Sequence, residues 1–253
     1  QLNAITTADL DALTITNLTT TQVGGLTSTS VINLTTTQVG ALTTTQVGVL
    51  SAAQIGALTS TEVQAFSAGQ AGALTATQLG GLTTTAIGNF STTQLSALTS
   101  TQAHGFTTTQ LNAITTADLD ALTITNLTTT QVGGLTSTSV IKLTTTQVGA
   151  LTSAQVGALS TAQLGALTTT ELGALTTSQA AALTEAQVAG LSTTNFAALS
   201  STTAIPALST QALAGITTAD IANLTTTQGH AFTSAQVALL TTAQANALVT
   251  LLG

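Results

Sequence analysis

One eight-residue phrase, Leu-Thr-Thr-Thr-Gln-Val-Gly-Ala, stands at residues 34–41, begins again at Leu42, and recurs with small edits about thirty times along the chain. A period this short leaves no room for a conventional domain. Each unit can bury its few apolar residues only against neighbouring copies, so a stack of repeats, a solenoid, is the architecture to expect. The same uniformity argues for a structural role, because a reacting site needs unlike residues brought together.

Numbering the unit from its large apolar residue puts Leu at one, Thr or Ser at two, Gln or an acid at five, Val, Leu or Ile at six, and a small residue at eight. Thr-x-x-Gln reads as a capping box: the hydroxyl accepts from the backbone N–H three residues on, and the Gln side chain accepts from the Thr N–H in return. Thr35 with Gln38 and Thr43 with Gln46 are examples. The Leu before each cap and the residue at position six form a hydrophobic staple, as in Leu34 with Val39 and Leu42 with Val47. A helix of about a turn and a half is therefore expected every eight residues, bent at each Leu-Thr junction, with positions three, four and seven outward. The fold class expected is all-α, a superhelix of very short capped helices. The alternative is a β-solenoid, which Thr and Val favour, but neither the odd nor the even positions of the octad make a consistently apolar face. Ala or Gly at position eight, as at Ala41, Ala57, Gly81 and Gly105, has two readings: close approach of helices, or simple helix termination.

The chain reads as one continuous array, 1–253, with a longer period of 109 residues: 1–109, 110–218 and a partial 219–253. Residues 1–43 recur as 110–152 with Asn33 replaced by Lys142. The five-residue unit Leu-Thr-Ile-Thr-Asn at 13–17 and 122–126 is expected to shift the phase of the coil once per block. The nine-residue unit 199–207, with the only proline, Pro206, and the break at 248–253 read as surface or end features. An isolated octad cannot fold, since two staple residues and a cap do not offset the backbone entropy of eight residues. A coil one octad thick has a narrow core, from which lateral packing of coils or chains is expected.

The net charge is −7, with Lys142 the single cation, so there is no basic surface for nucleic acid. The apolar runs, such as that around residues 247–252, are too short to insert across a membrane. Cysteine, methionine, tryptophan and tyrosine are absent, which removes thiol chemistry and suits a secreted or cell-surface location. The stretch begins in mid-repeat and reads as a piece of a longer chain. His104 and His230 sit at matched positions without a carboxylate or second imidazole in their units, and read as tolerated outward variation rather than metal ligands. Asp9 with Asp11, and Asp118 with Asp120, read as a cap acid followed by a solvated one, not as calcium sites. No base stands beside a hydroxyl to activate it, so neither an enzyme nor a cofactor is expected. Exposed Thr and Ser, and the sequons at Asn17, Asn33, Asn89, Asn126 and Asn223, are candidate positions for surface glycans.

The Leu-Thr-x-x-Gln-Val-x-Ala-Leu run, as at residues 34–42, resembles the octapeptide arrays of very large secreted or surface, adhesin-like proteins of Gram-negative bacteria, and does so over essentially the whole chain. Its Leu-Thr-x-x-Gln-Val core is also similar to the start of the first helix in repeats of transcription-activator-like effectors. That likeness supports helix, while the base-reading loop and basic surface of those repeats have no counterpart. The uniform octad and its narrow core lead to the expectation of an extracellular fibre, sheath or matrix filament formed by self-association of octad solenoids. The alternative is the stalk or binding region of an adhesin, and a lesser one is an ice-binding Thr array, which would need a flat Thr face.

Overall fold

A computed structural model describes all 253 residues, Gln1–Gly253. The chain is all-α, with 27 α-helices, five short 3-10 turns and no strand. Most helices are four to six residues long; the exception is the 11-residue helix Thr242–Leu252. Two compact units divide the chain, Gln1–Leu127 and Thr128–Gly253.

Octads other than the one starting at Leu208 fold in the same way. The residue at position two leaves the helical region and accepts the backbone N–H at position five. Thr43, for example, has φ −70° and ψ 157° and caps Thr44–Gly48. The Leu before it is also extended: Leu42, at φ −52° and ψ 136°, closes Thr36–Ala41 and leads into the next cap. Two consecutive extended residues turn the chain, and the cap restarts the helix at once.

Within the first unit a helix packs against the third helix along, as Ser28–Ile32 does on Ala52–Ala57 and Thr36–Ala41 on Ser60–Gln64. The second unit repeats this, with Ser153–Ala158 on Thr177–Ala181 and Thr161–Ala166 on Glu185–Ala189. One turn of either coil therefore holds three octads. Positions one and six point inward. Leu34, Val39, Leu42 and Val47 are at most 4 % exposed, and Leu164, Leu172 and Val188 of the second unit are as deeply buried. Each such side chain contributes about 1.5–3 kcal/mol on burial, and three octads per turn enclose the core from within one chain.

Small residues let the turns close. A Cβ on Gly133, at position seven, would lie 2.8 Å from the carbonyl oxygen of Ala158, at position eight one turn on. At position eight, a Cβ on Gly81 would meet the Ala52 methyl at 2.7 Å, and one on Gly190 would meet Thr161 Cβ at 2.8 Å. Position eight thus ends the helix and packs on position three of the previous turn, so both readings of the small residue hold. Position seven is not simply outward, since its backbone lies against the next turn.

The short and long units do not shift the phase. Residues 13–17 fold into the 3-10 turn Ile15–Asn17, whose Ile15 is 2 % exposed and takes the place of position six, so that five residues span one whole side of the coil. Its twin Ile124–Asn126 packs against Ser100–Ala103, three elements earlier, and Asn126 Nδ2 donates to the Leu98 carbonyl at 3.4 Å. The nine-residue unit 199–207 also fills one side. Its Ala204 and Ile205 are fully buried, so only part of this irregularity is a surface feature. At the end of the chain the octad pattern gives way to Thr242–Leu252, which packs on Thr218–Ala222 and Thr226–His230.

Candidate functional site

The residue that binds turn to turn is the Gln at position five. In Thr44–Gly48 the Thr43 N–H donates to Gln46 Oε1 at 2.8 Å, and the Gln46 N–H donates to Thr43 Oγ1 at 3.1 Å. That capping box uses one end of the amide. The other end reaches into the previous turn, where Gln46 Nε2 donates to the Ile15 carbonyl at 2.9 Å and the Leu18 carbonyl at 2.8 Å. Gln38 makes the same arrangement across the short unit. Its Oε1 accepts from the Thr35 N–H at 3.0 Å, and its Nε2 donates to Leu10 at 2.8 Å and Leu13 at 3.0 Å.

In regular stretches the acceptors lie 28 and 31 residues back, at positions one and six. Gln70 donates to Leu42 and Val39, Gln94 to Phe66 and Val63, and Gln110 to Leu82 and Leu79. The second unit does likewise, with Gln179 on Leu151 and Val148, both at 2.8 Å, and Gln187 on Leu159 at 2.7 Å and Val156 at 2.9 Å. These glutamines are buried, Gln46 and Gln187 to 2 % exposure and Gln179 to 1 %. A buried primary amide costs free energy unless both ends are satisfied. Here the oxygen takes an orphan donor at the start of a helix, and the nitrogen takes two carbonyls at the junction of helices one turn earlier.

Where position five is not Gln, the rung changes. Glu62, Asp118, Glu171 and Asp220 are buried and keep the capping half, as in Thr59 N–H to Glu62 Oε2 at 2.7 Å and Thr217 N–H to Asp220 Oδ2 at 2.8 Å. An ionised carboxylate has no proton to give the previous turn. The shorter Asn195 reaches the Gly165 carbonyl at 3.0 Å, and Thr203 reaches the Leu175 carbonyl at 3.2 Å. Ser30 meets Asn3 Oδ1 at 2.8 Å, and the same oxygen accepts from the Thr27 N–H at 2.8 Å. Leu34, Val39, Leu42 and Val47 are buried, and the capping of Thr35 with Gln38 and of Thr43 with Gln46 was readable in the octad. The second use of Gln was not, although eighteen glutamines against five acids at position five was a signal: a cap at a helix N-terminus accepts an acid at least as well.

The remaining candidates lie on the surface or serve caps. His104, in the first unit, and His230, in the second, are exposed, as are Asp9, Asp11 and Asp120. Asp118 accepts from Thr115 Oγ1 at 2.7 Å. No three His, Cys, Asp or Glu side chains converge, and no helix is long and apolar enough to cross a membrane.

The exposed face is dominated by hydroxyls. In the first unit Thr35, Thr36 and Thr37, then Thr59, Ser60 and Thr61, then Thr83, Thr84 and Thr85, recur every third octad and so share one side of the coil, all exposed; Thr107, Thr108 and Thr109 follow, with Thr108 half-buried.

Comparison with known proteins agrees with this geometry. No curated protein matches the chain. The family model for the ALTTAQ repeat matches residues 31–60, 124–161, 142–169, 150–185, 158–193 and 213–250, more than half of the chain and parts of both units. With its Leu-Thr-x-x-Gln octads folded as capped, amide-linked helices, the chain belongs to the ALTTAQ repeat family.

Proposed function

We propose that the array is a non-catalytic structural element of a secreted or cell-surface bacterial protein, and that its coils pack side by side into a fibre, sheath or matrix. The observation that carries this reading is the hydroxyl face. In the first unit the octads starting at Leu34, Leu58 and Leu82 return Thr or Ser at positions two to four to the same side, uncharged and exposed. A hydroxyl both donates and accepts, so such a face is complementary to itself, and with one cation and eight acids in the chain it carries little charge to hold neighbours apart. Surface glycans on the same hydroxyls would compete with this packing, which makes the two states mutually exclusive at a given side.

Sedimentation and negative-stain imaging of the purified chain test the reading. Laterally associated filaments are expected, and replacing Thr37, Thr61 and Thr85, the position-four residues of one side, by lysine should dissolve them while leaving helicity unchanged. Dispersed monomers at all concentrations would exclude the fibre. The second reading, the stalk of an adhesin, is favoured by the closed core: positions one and six of the inner turns, such as Leu42, Val47, Leu172 and Val188, are covered within a single chain, so these turns need no neighbouring coil. Surface labelling of the source cells, with the array lying between an anchor and a distinct binding domain, would support the stalk.

A further inference from the structure

In each unit one side of the coil is unlike the other two. In the first unit the octads starting at Leu34, Leu58 and Leu82 carry hydroxyls at 35–37, 59–61 and 83–85 without interruption, all exposed. In the second unit the octads starting at Leu143, Leu167 and Leu191 do the same at 144–146, 168–170 and 192–194. These also lie turn on turn, since Thr145–Ala150 packs on Thr169–Gly173 and that helix on Thr193–Ala197. The hydroxyls at positions three and four of these octads, such as those of Thr36, Thr37, Thr145 and Thr146, make no hydrogen bond within the chain. Each is a donor and an acceptor turned to the outside.

The remaining sides break the row. Alanine and glycine interrupt it at 52–53, 68–69 and 76 in the first unit, and alanine or glutamate at 154, 162 and 185–186 in the second. Charge follows the same division. Asp9, Asp11, Asp120, Lys142 and Glu185 are the charged side chains that reach the surface, and all five stand in octads of the interrupted sides. The acids within the hydroxyl sides, Glu62 and Glu171, are buried and accept from the backbone N–H of their caps.

We propose that each unit pairs with a second copy of the chain through this one side, like side to like side, so that a unit takes a single neighbour. The inference rests on the reading that the coils associate, and adds which side does so and how many neighbours it admits. A partner has to present donors and acceptors at the spacing of three successive turns. Another copy does so by construction, since its turns repeat in the same way, and two like sides related by a two-fold axis satisfy each other reciprocally. The lack of charge on this side removes the repulsion that an identical copy would otherwise bring. With one pairing side in each of two units, a chain joins at most two others, in a line and not in a sheet.

Sedimentation velocity and negative-stain imaging of the full chain test this with lysine placed at position four of chosen sides. Thr37→Lys, Thr61→Lys and Thr85→Lys together close the first unit's side, and filaments should give way to pairs held by the second unit. Thr146→Lys, Thr170→Lys and Thr194→Lys should do the same from the other unit, and all six together should leave monomers. Ala53→Lys, Thr77→Lys and Thr101→Lys, exposed at the same position on a neighbouring side of the first unit, add the same charge and should leave the filaments intact. Unchanged far-UV circular dichroism shows that every variant is folded. Sheets from the parent chain, filaments lost in the neighbouring-side variant, or filaments that survive all six lysines would overturn one-sided pairing while lateral association stands. Monomers of the parent chain at every concentration would overturn both.

Discussion

Residues 144–191 and residues 199–215 belong to the same unit and are built on the same core, yet they hold their turns together differently. The first stretch is a run of capped helices, and its glutamines at 163, 179 and 187 each grip two carbonyls of the previous turn. The second has two 3-10 turns, Ile205–Ala207 and Ala212–Gly215, with no amide rung of its own. Its Ile205, Leu208 and Leu213 are nonetheless at most 3 % exposed, and it approaches the preceding turn so closely that a Cβ on Gly215 would collide with the backbone of Glu185 and Ala189. A turn therefore tolerates loss of its helix and its amide provided that two large apolar residues still reach the interior. Side-chain placement sets the fold, and the amide adds register.

Substitutions in the two stretches can break that comparison. The largest effect is expected for core truncation: Leu172→Ala and Ile205→Ala, both fully buried, should each cost about 2–5 kcal/mol in urea unfolding. If Ile205→Ala cost less than about 1 kcal/mol, Ile205 would not be the equivalent of position six. Next, Gln179→Ala removes a cap partner and leaves two carbonyls without their donor, a loss of about 1–3 kcal/mol, whereas Gln211→Ala should stay within about 0.5 kcal/mol. Comparable losses from both would mean that the displaced glutamine supports the fold after all. Thr176→Ala deletes a helix cap and should cost about 1 kcal/mol, while Thr210→Ala, exposed and outside a cap, should be silent in the same melts. The smallest change sharpens the role of the amide: Glu171→Gln restores a donor in the slot facing Leu143 and Val140, and should stabilise the second unit by about 0.5–1 kcal/mol. A lower midpoint would show that the carboxylate has a compensating partner in solution.

Much of this was legible in the octad because capping and stapling are local. Thr35, Gln38, Leu34 and Val39 lie within six residues of one another, and the chemistry that joins them depends on no distant contact. Three octads per turn was not legible, because the spacing of 28 and 31 residues between an amide and its carbonyls exists only after the coil has closed. The same gap explains the error over the five-residue unit. Counting residues suggested a phase shift, but what the coil counts is sides, and in the second copy Leu122 with Ile124, both buried, supplies one side's worth of apolar contacts in five residues. The narrow core also looked thinner in sequence than it is, since three octads surround it rather than one.

The amide rungs have a consequence for mechanics. Within either unit, each rung joins one turn to the turn before it, so tension along the chain is carried by every rung in series, and an end turn, held by a neighbour on one side only, is the first to yield. Three octads released as extended polypeptide add about 80 Å of length, and the freed amide and carbonyls can pair again when the load is removed. Extension of a chain wound in this way would proceed turn by turn from an end, in steps set by the length of each turn.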